Sequence, residues 1–351
     1  AVARSYLAKL NNTNGNSSNW ATTNSTVYEM YVDGTICYVG GDFTTLSGSG
    51  RNRIGGITIS NGNTTSFNPN ANNRVSAITK SGNTLYYGGY FTDIGGTARN
   101  YIAASNVNTG ALTSWNPTAN SYVYELFVDG SSNVIAGGNF TGFKETTRSY
   151  ATIVDYTDGM YGSWAPVLNS YVYDITTNGD KIFTGGIFTV ADGNTRIGFA
   201  AFKRNNGSLD ALDMGLKRAG GTSGISVRSI LATSDIVYAG GYFDEANGEQ
   251  RYDFAGMKLS DEKITKTNPS PDYYVYSFVL ENNNIIYGGD FNYSNFKYRS
   301  YLGLLTNDDG TAGDWDPQPN SYVYDIAYNT ENVFAAGLFD NVGGAARYGA
   351  A

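Results

Sequence analysis

A Gly-Gly-x-Phe anchor returns along the whole chain at intervals of 48 to 55 residues, and a repeat of that size leaves few architectures open. It stands at Gly40-Gly41-Asp42-Phe43, Gly88-Gly89-Tyr90-Phe91, Gly137-Gly138-Asn139-Phe140 and Gly185-Gly186-Ile187-Phe188. It continues at Gly240-Gly241-Tyr242-Phe243, at Gly288-Gly289-Asp290-Phe291 and, slightly worn, at Ala336-Gly337-Leu338-Phe339. Eight residues after every anchor phenylalanine comes an arginine: Arg51, Arg99, Arg148, Arg196, Arg251, Arg299 and Arg347. A valine lies 16 residues before six of the anchors (Val27, Val75, Val172, Val227, Val275, Val323) and 17 before the remaining one (Val123). Seven matching units result, numbered here in chain order.

Each unit reads as four short antiparallel strands. The first begins at the valine, as in Val172-Tyr173-Asp174-Ile175, and a turn such as Asn178-Gly179-Asp180 leads to the second at Lys181. The third follows the arginine, and the fourth follows a glycine eleven residues beyond it: Gly62, Gly110, Gly159, Gly207 and Gly310, with Glu262 breaking the pattern. Strands separated by Asn, Asp and Gly at such intervals are hairpin grammar. A four-stranded sheet with apolar residues on both faces must bury both, and a ring of radial sheets does so against its neighbours. The expected fold is therefore all-β: a seven-bladed β-propeller in one domain, residues 1–351.

Closure of the ring is also predicted. Arg4-Ser5-Tyr6-Leu7-Ala8 is an eighth copy of the arginine-plus-strand element, in phase with Arg347-Tyr348. Residues 1–20 are thus expected to supply the third and fourth strands of the last blade, and 321–340 its first two, which removes raw sheet edges. Ala1-Val2-Ala3 fits either a mature N-terminus or a domain cut from a longer chain.

Composition excludes several functions. There are 44 Gly and 29 Tyr in 351 residues, only 15% charged residues, no His and one Cys. Without histidine, Ser-His-Asp and Cys-His catalysis and the commonest metal ligand are gone. A net charge of −8 argues against nucleic-acid binding. No apolar run reaches the roughly 18 residues of a membrane span. Cys37, in the apolar strand Thr35-Ile36-Cys37-Tyr38-Val39, is expected to be a buried, inert thiol.

The run Gly179-Asp180-Lys181-Ile182-Phe183-Thr184-Gly185-Gly186-Ile187-Phe188-Thr189, followed by Asn206-Gly207-Ser208-Leu209-Asp210, resembles the delta-60 type β-propeller repeat. That family's pattern is a DGKI-hGGxF strand, an Arg-headed strand and a DGSLD-like turn. The similarity covers essentially the whole chain, although the final turn is kept well only at 207–210. It implies blades like those of large bacterial surface or secreted proteins, with related folds on phage particles. It brings no established catalytic residues.

Three features are candidates for function, each beside a plainer role. Eight of the thirteen arginines, Arg4, Arg51, Arg99, Arg148, Arg196, Arg251, Arg299 and Arg347, share one phase of the repeat. They are read as structural forks tying loop carbonyls or a carboxylate, with Glu29, Glu125, Asp174 and Asp325 as possible partners. Tyr122, Tyr171, Tyr274 and Tyr322 precede the starting valine, and Tyr28, Tyr124, Tyr173, Tyr276 and Tyr324 follow it. Both flanking positions point to one side of the strand, so these rings are expected at the seams near one channel mouth, packing or presenting a platform for sugar or protein. The Asn-Ser pairs at 120–121, 169–170 and 320–321 support the platform, for sugar or for protein. Finally, 39 positions separate Phe188 from Val227 where other units have 32. The enlarged loop there brings Lys217 and Arg218 as candidate ligand-binding cations.

Asp-rich turns such as Asn307-Asp308-Asp309-Gly310 lack regular calcium-loop spacing, and no metal or cofactor is expected. The acids form no unit-specific pair of the kind a glycosidase needs, so the chain is read as non-catalytic. The expected function is an extracellular binding or adhesion module for a glycan or surface protein. The alternative is a structural part of a virion or cell-surface layer with its other subunits as partners, and a carbohydrate-active enzyme is the minor alternative.

Overall fold

The computed structural model describes residues 2–3, 5–130, 132–281, 284–294, 297–306 and 315–343. Every regular element among them is a strand. Each unit forms an antiparallel sheet whose middle strand carries the anchor glycines. In unit 4 the inner strand Val172–Thr177 pairs with the middle strand Lys181–Gly186, which pairs in turn with the outer strand Phe199–Lys203. Seven such three-stranded sheets are present among the described residues.

The expected fourth strand is reduced to a single bridge: Ile57 to Thr64, Ser105 to Leu112, Val154 to Tyr161, Phe202 to Leu209 and Met257 to Ile264. The turn before it uses a left-handed residue such as Gly207 (φ 73°) or Glu262 (φ 57°), so Glu262 serves where the pattern lacks glycine. Phe67, Trp115 and Trp164 are then buried, and each is followed two residues on by Pro69, Pro117 or Pro166. Proline has no N–H to donate, yet Phe202 to Leu209 and Leu10 to Ser17 are single bridges as well with no proline following them. A further two-residue hairpin, not anticipated, sits between middle and outer strands, as in Thr45–Leu46 with Ser49–Gly50.

The chain ends meet in unit 7. Leu7–Asn11 is the outer strand beside Asn332–Gly337, and Val2–Ala3 pairs with Asn341–Val342 in place of the local hairpin. Leu10 also bridges Ser17. Inner strands of successive units lie against one another all the way round, with Val323–Tyr328 of unit 7 against Val27–Asp33 of unit 1.

The anchor glycines explain how close these strands come. A β-carbon on Gly185 would stand 2.8 Å from Cγ1 of Val227, the starting valine of the next unit. One on Gly186 would stand 2.0 Å from the Tyr171 carbonyl oxygen of its own inner strand. The same two obstacles recur around the molecule, for example Gly88 against Val123 and Gly89 against the Arg74 carbonyl. Unit 7 replaces the first glycine by Ala336 but keeps Gly337, whose obstacle, the Tyr322 carbonyl, is backbone and cannot step aside. The cores are accordingly shared between neighbours: Tyr38 and Ile54 of unit 1 pack with Val75 and Phe91 of unit 2. Cys37 is fully buried, and burial pushes its thiol up.

The repeat arginines work at the outer edge. Arg51, Arg99, Arg196 and Arg251 donate from one Nη to the carbonyl of the preceding residue and from the other to a carbonyl 14 residues on. Arg148 makes the second contact, to Gly162, and Arg299 reaches the Tyr298 carbonyl and the Asp316 carboxylate at 3.2 Å each. Each thereby holds the short bridging segment where the ladder ends. Arg4 and Arg347 lie outside the described residues. Glu29, Glu125, Asp174 and Asp325 are not the partners suggested for these arginines. They sit on inner strands, facing the channel instead.

Gly186→Ala should therefore destabilise by about 1–3 kcal/mol through overpacking, while Gly50→Ala, with open space around its β-carbon, should be nearly neutral in urea unfolding. Arg99→Ala leaves the Thr113 carbonyl without its charged donor and should lower the melting temperature, at a cost of about 1.5–3 kcal/mol. An unchanged melting curve would contradict that role.

Candidate functional site

Every inner strand carries a β-bulge at the same place, between the starting valine and the residue two beyond it. A bulge inserts one unpaired residue and re-aims its side chain. The inserted residues are Tyr28, Ser76, Tyr124, Tyr173, Arg228, Tyr276 and Tyr324, and all seven line one central cavity of about 660 Å³.

Their rings form a belt. Tyr90 stacks on Tyr122 with centroids 4.0 Å apart, Tyr124 meets Tyr171 and Tyr173, and Tyr274 stacks on Tyr276. Tyr276 then meets Tyr324, which stacks on Tyr28 at 5.2 Å. Tyr322 packs on Tyr324 and Tyr301. Two guanidinium groups fill the gaps in this circuit. Arg74 lies 4.0 Å from the Tyr28 centroid and 5.0 Å from that of Tyr90, and Arg228 lies 4.0 Å from Tyr173 and 5.7 Å from Tyr274. Planar guanidinium on an aromatic face is a favourable contact. The candidate tyrosines Tyr122, Tyr171, Tyr274 and Tyr322 are thus all brought to one belt. Burial pushes the hydroxyls of Tyr28, Tyr124, Tyr274, Tyr276 and Tyr324 up, so they stay protonated and can donate.

Behind the belt, Glu29, Glu125, Asp174 and Asp325 converge from four inner strands on the same cavity. Asp325 accepts the Met30 N–H of the next unit at 2.7 Å and the Ser277 hydroxyl of the previous one at 3.0 Å. Asp174 accepts the Ile230 N–H of its neighbour at 2.5 Å, and the Ser277 hydroxyl accepts that of Ile326. Inner strands are thus strapped to one another by side chains. Burial is the main cause that pushes Asp174 and Asp325 up to about 6. Burial and the neighbouring acids push Glu29 and Glu125 well above the usual carboxylate range. Among the described residues, no group of acids, Cys or His is arranged to hold a metal ion.

The two loop cations do not line the cavity and are engaged, Arg218 through Tyr242, a ring that stacks on Tyr274 of the belt. Lys217 pairs with Glu245 at 2.5 Å. Arg218 lies 3.8 Å from the Tyr242 centroid and also donates to its hydroxyl. Asn120 and Asn169, read in the sequence as part of a sugar or protein platform, clip the turns at Thr141 and Thr189, as Asn320 clips Asp340. Sequence reasoning passed over Arg74 and Arg228. Their signal was position, since both stand in columns that other units fill with tyrosine.

The carboxyls set the pH dependence of stability. Asp253, buried beneath the Phe243 N–H, is likewise pushed up, to about 7. A raised pKa means that the folded state holds its proton more tightly than the unfolded chain. The stabilisation is then fully present below the ordinary carboxyl value near 4 and is lost as pH climbs through the folded values. Thermal stability should fall between about pH 4 and pH 7, and Glu29→Gln should flatten that slope; a melting temperature that rises over this range would contradict the assignment.

No family model and no curated protein matches the sequence. Solved structures do. The extracellular domain of a putative one-component system from B. thetaiotaomicron superposes with a TM-score of 0.61 at 15% identity, covering 96% of this chain and 39% of that one. The chain thus spans about two fifths of that protein's length. The WD40 β-propeller domain of Doa1 gives a TM-score of 0.58 at 12% identity, covering 95% and 94% of the two chains. The computationally designed protein Ika8 gives 0.55 at 12% identity, covering 91% and 95%. Among the described residues no helix is long and apolar enough to cross a membrane. At such identities the likeness speaks for fold alone, and that fold is the β-propeller.

Proposed function

We propose that this chain is a seven-bladed β-propeller of the delta-60 repeat type, one domain over residues 1–351, working outside the cell as a non-catalytic module that binds a glycan at the channel mouth. The belt of stacked tyrosines around one cavity supports this reading most strongly. Aromatic faces with protonated hydroxyls offer both the apolar surface and the hydrogen bonds that sugar rings use. The ring holds those side chains before any ligand arrives, which lowers the ordering cost of binding. The carboxyls behind the belt support a non-catalytic role, because Asp174 and Asp325 are occupied by backbone N–H groups of neighbouring units. An extracellular setting accords with the extracellular domain among the structural neighbours and with the chain's small share of charged residues, 15%.

Binding of the intact protein to immobilised glycans tests this reading. Tyr122→Ala removes the face stacked on Tyr90 and should weaken binding about tenfold, a loss of about 1.4 kcal/mol, while the melting curve stays cooperative. Undiminished binding by the variant would place the glycan elsewhere. Binding to surface proteins but to no glycan would make the partner a protein.

A further inference from the structure

The two arginines of the belt are not equivalent. Arg74 is neutralised: Asp42 of the preceding unit accepts from its Nε at 3.2 Å and its Nη2 at 2.7 Å. Arg228 has no carboxylate within ion-pair distance among the described residues. Asp42 follows the glycine pair of unit 1, whereas the residue following the glycine pair of unit 4, one unit before Arg228, is Ile187. The Nε of Arg228 is buried and finds no acceptor among the described residues, as is also true of Arg51, Arg99, Arg148, Arg196 and Arg251. Its guanidinium nevertheless lines the cavity, held over the ring of Tyr173. A guanidinium fixed by stacking keeps its planar donor edge for a ligand, and that edge matches a carboxylate in two parallel hydrogen bonds.

We propose that Arg228 receives the carboxylate of an acidic saccharide, a uronic or sialic acid unit, with the sugar ring against the neighbouring tyrosine faces. This inference rests on the glycan reading above and names the class of sugar. The carboxylate supplies the acceptor that the protein withholds from Arg228. The ring flanking it would lie on Tyr173 or Tyr274, the two aromatic faces nearest the guanidinium. Among the carboxyls behind the belt, Glu29 and Glu125 are pushed well above the usual carboxylate range, which lowers the negative charge facing such a ligand, while Asp174 and Asp325 are engaged by backbone N–H groups of neighbouring units.

The test uses matched pairs of immobilised oligosaccharides, each acidic member beside its carboxyl-methyl ester. The wild-type protein should retain acidic members at least about tenfold more tightly than their esters, and added salt should narrow the gap. Arg228→Gln should erase the preference while leaving residual binding of the esters, and Arg228→Lys should restore part of it, both variants showing cooperative melting. Equal retention of acid and ester by the wild type would overturn the role of Arg228 and leave the glycan reading standing. Retention of neither member of any pair would overturn both.

Discussion

The structure depends on missing β-carbons in the middle strands, two in each of units 1 to 6 and one in unit 7, where Ala336 replaces the first glycine. The first anchor glycine admits the starting valine of the next sheet, and the second admits the carbonyl of the unit's own inner strand. Interiors at crystal-like packing density do not forgive an extra methyl at such distances. The glycine pair therefore sets how tightly neighbouring inner strands approach. The repeated valine is the other half of the same contact, which is why the two recur together along the chain.

That tight approach has a consequence at the axis. Each inner strand bulges immediately after its valine, and the extra residue is turned into the channel. With five units supplying tyrosine there, and two supplying Ser76 or Arg228, the axis becomes aromatic at its mouth. Deeper in, short acids and serines bind the freed N–H groups of adjacent units. The same local irregularity thus links the sheets and builds the cavity. Burial pushes these carboxyls up, which lessens the mutual repulsion of acids in so crowded a position.

Much of the fold was legible because its determinants repeat. The anchor, the valine and the arginine could be aligned by eye, and the pairing of Leu7–Asn11 with Asn332–Gly337 follows the phase of Tyr6-Leu7 against Tyr348. The fourth strand reads longer in the sequence than it is: it closes after a single bridge in units 1 to 5, with a proline soon after in units 1, 2, 3 and 5 but not in unit 4. Glu29, Glu125, Asp174 and Asp325 were assigned to the wrong arginines because phase within a repeat says nothing about radial distance. The repeat arginines lie at the outer edge and the acids at the axis. The tyrosine belt could be read from its columns, and Arg74 and Arg228 stand in those same columns, but only their neighbours reveal what each does: Asp42 pairs with the first and Tyr173 stacks under the second. Lys217 and Arg218 drew notice as positive charge on an acidic chain. Glu245 and Tyr242, which engage them, come well over twenty residues later.

The central claim is a closed circuit of like sheets whose inner strands present the belt to one channel. An experimental density map viewed along that channel tests it most directly. The account predicts seven radial sheets, with residues 7–11 lying beside 332–337 and tyrosine rings encircling one mouth. Six or eight sheets, an open spiral, or tyrosines directed away from the axis would contradict it.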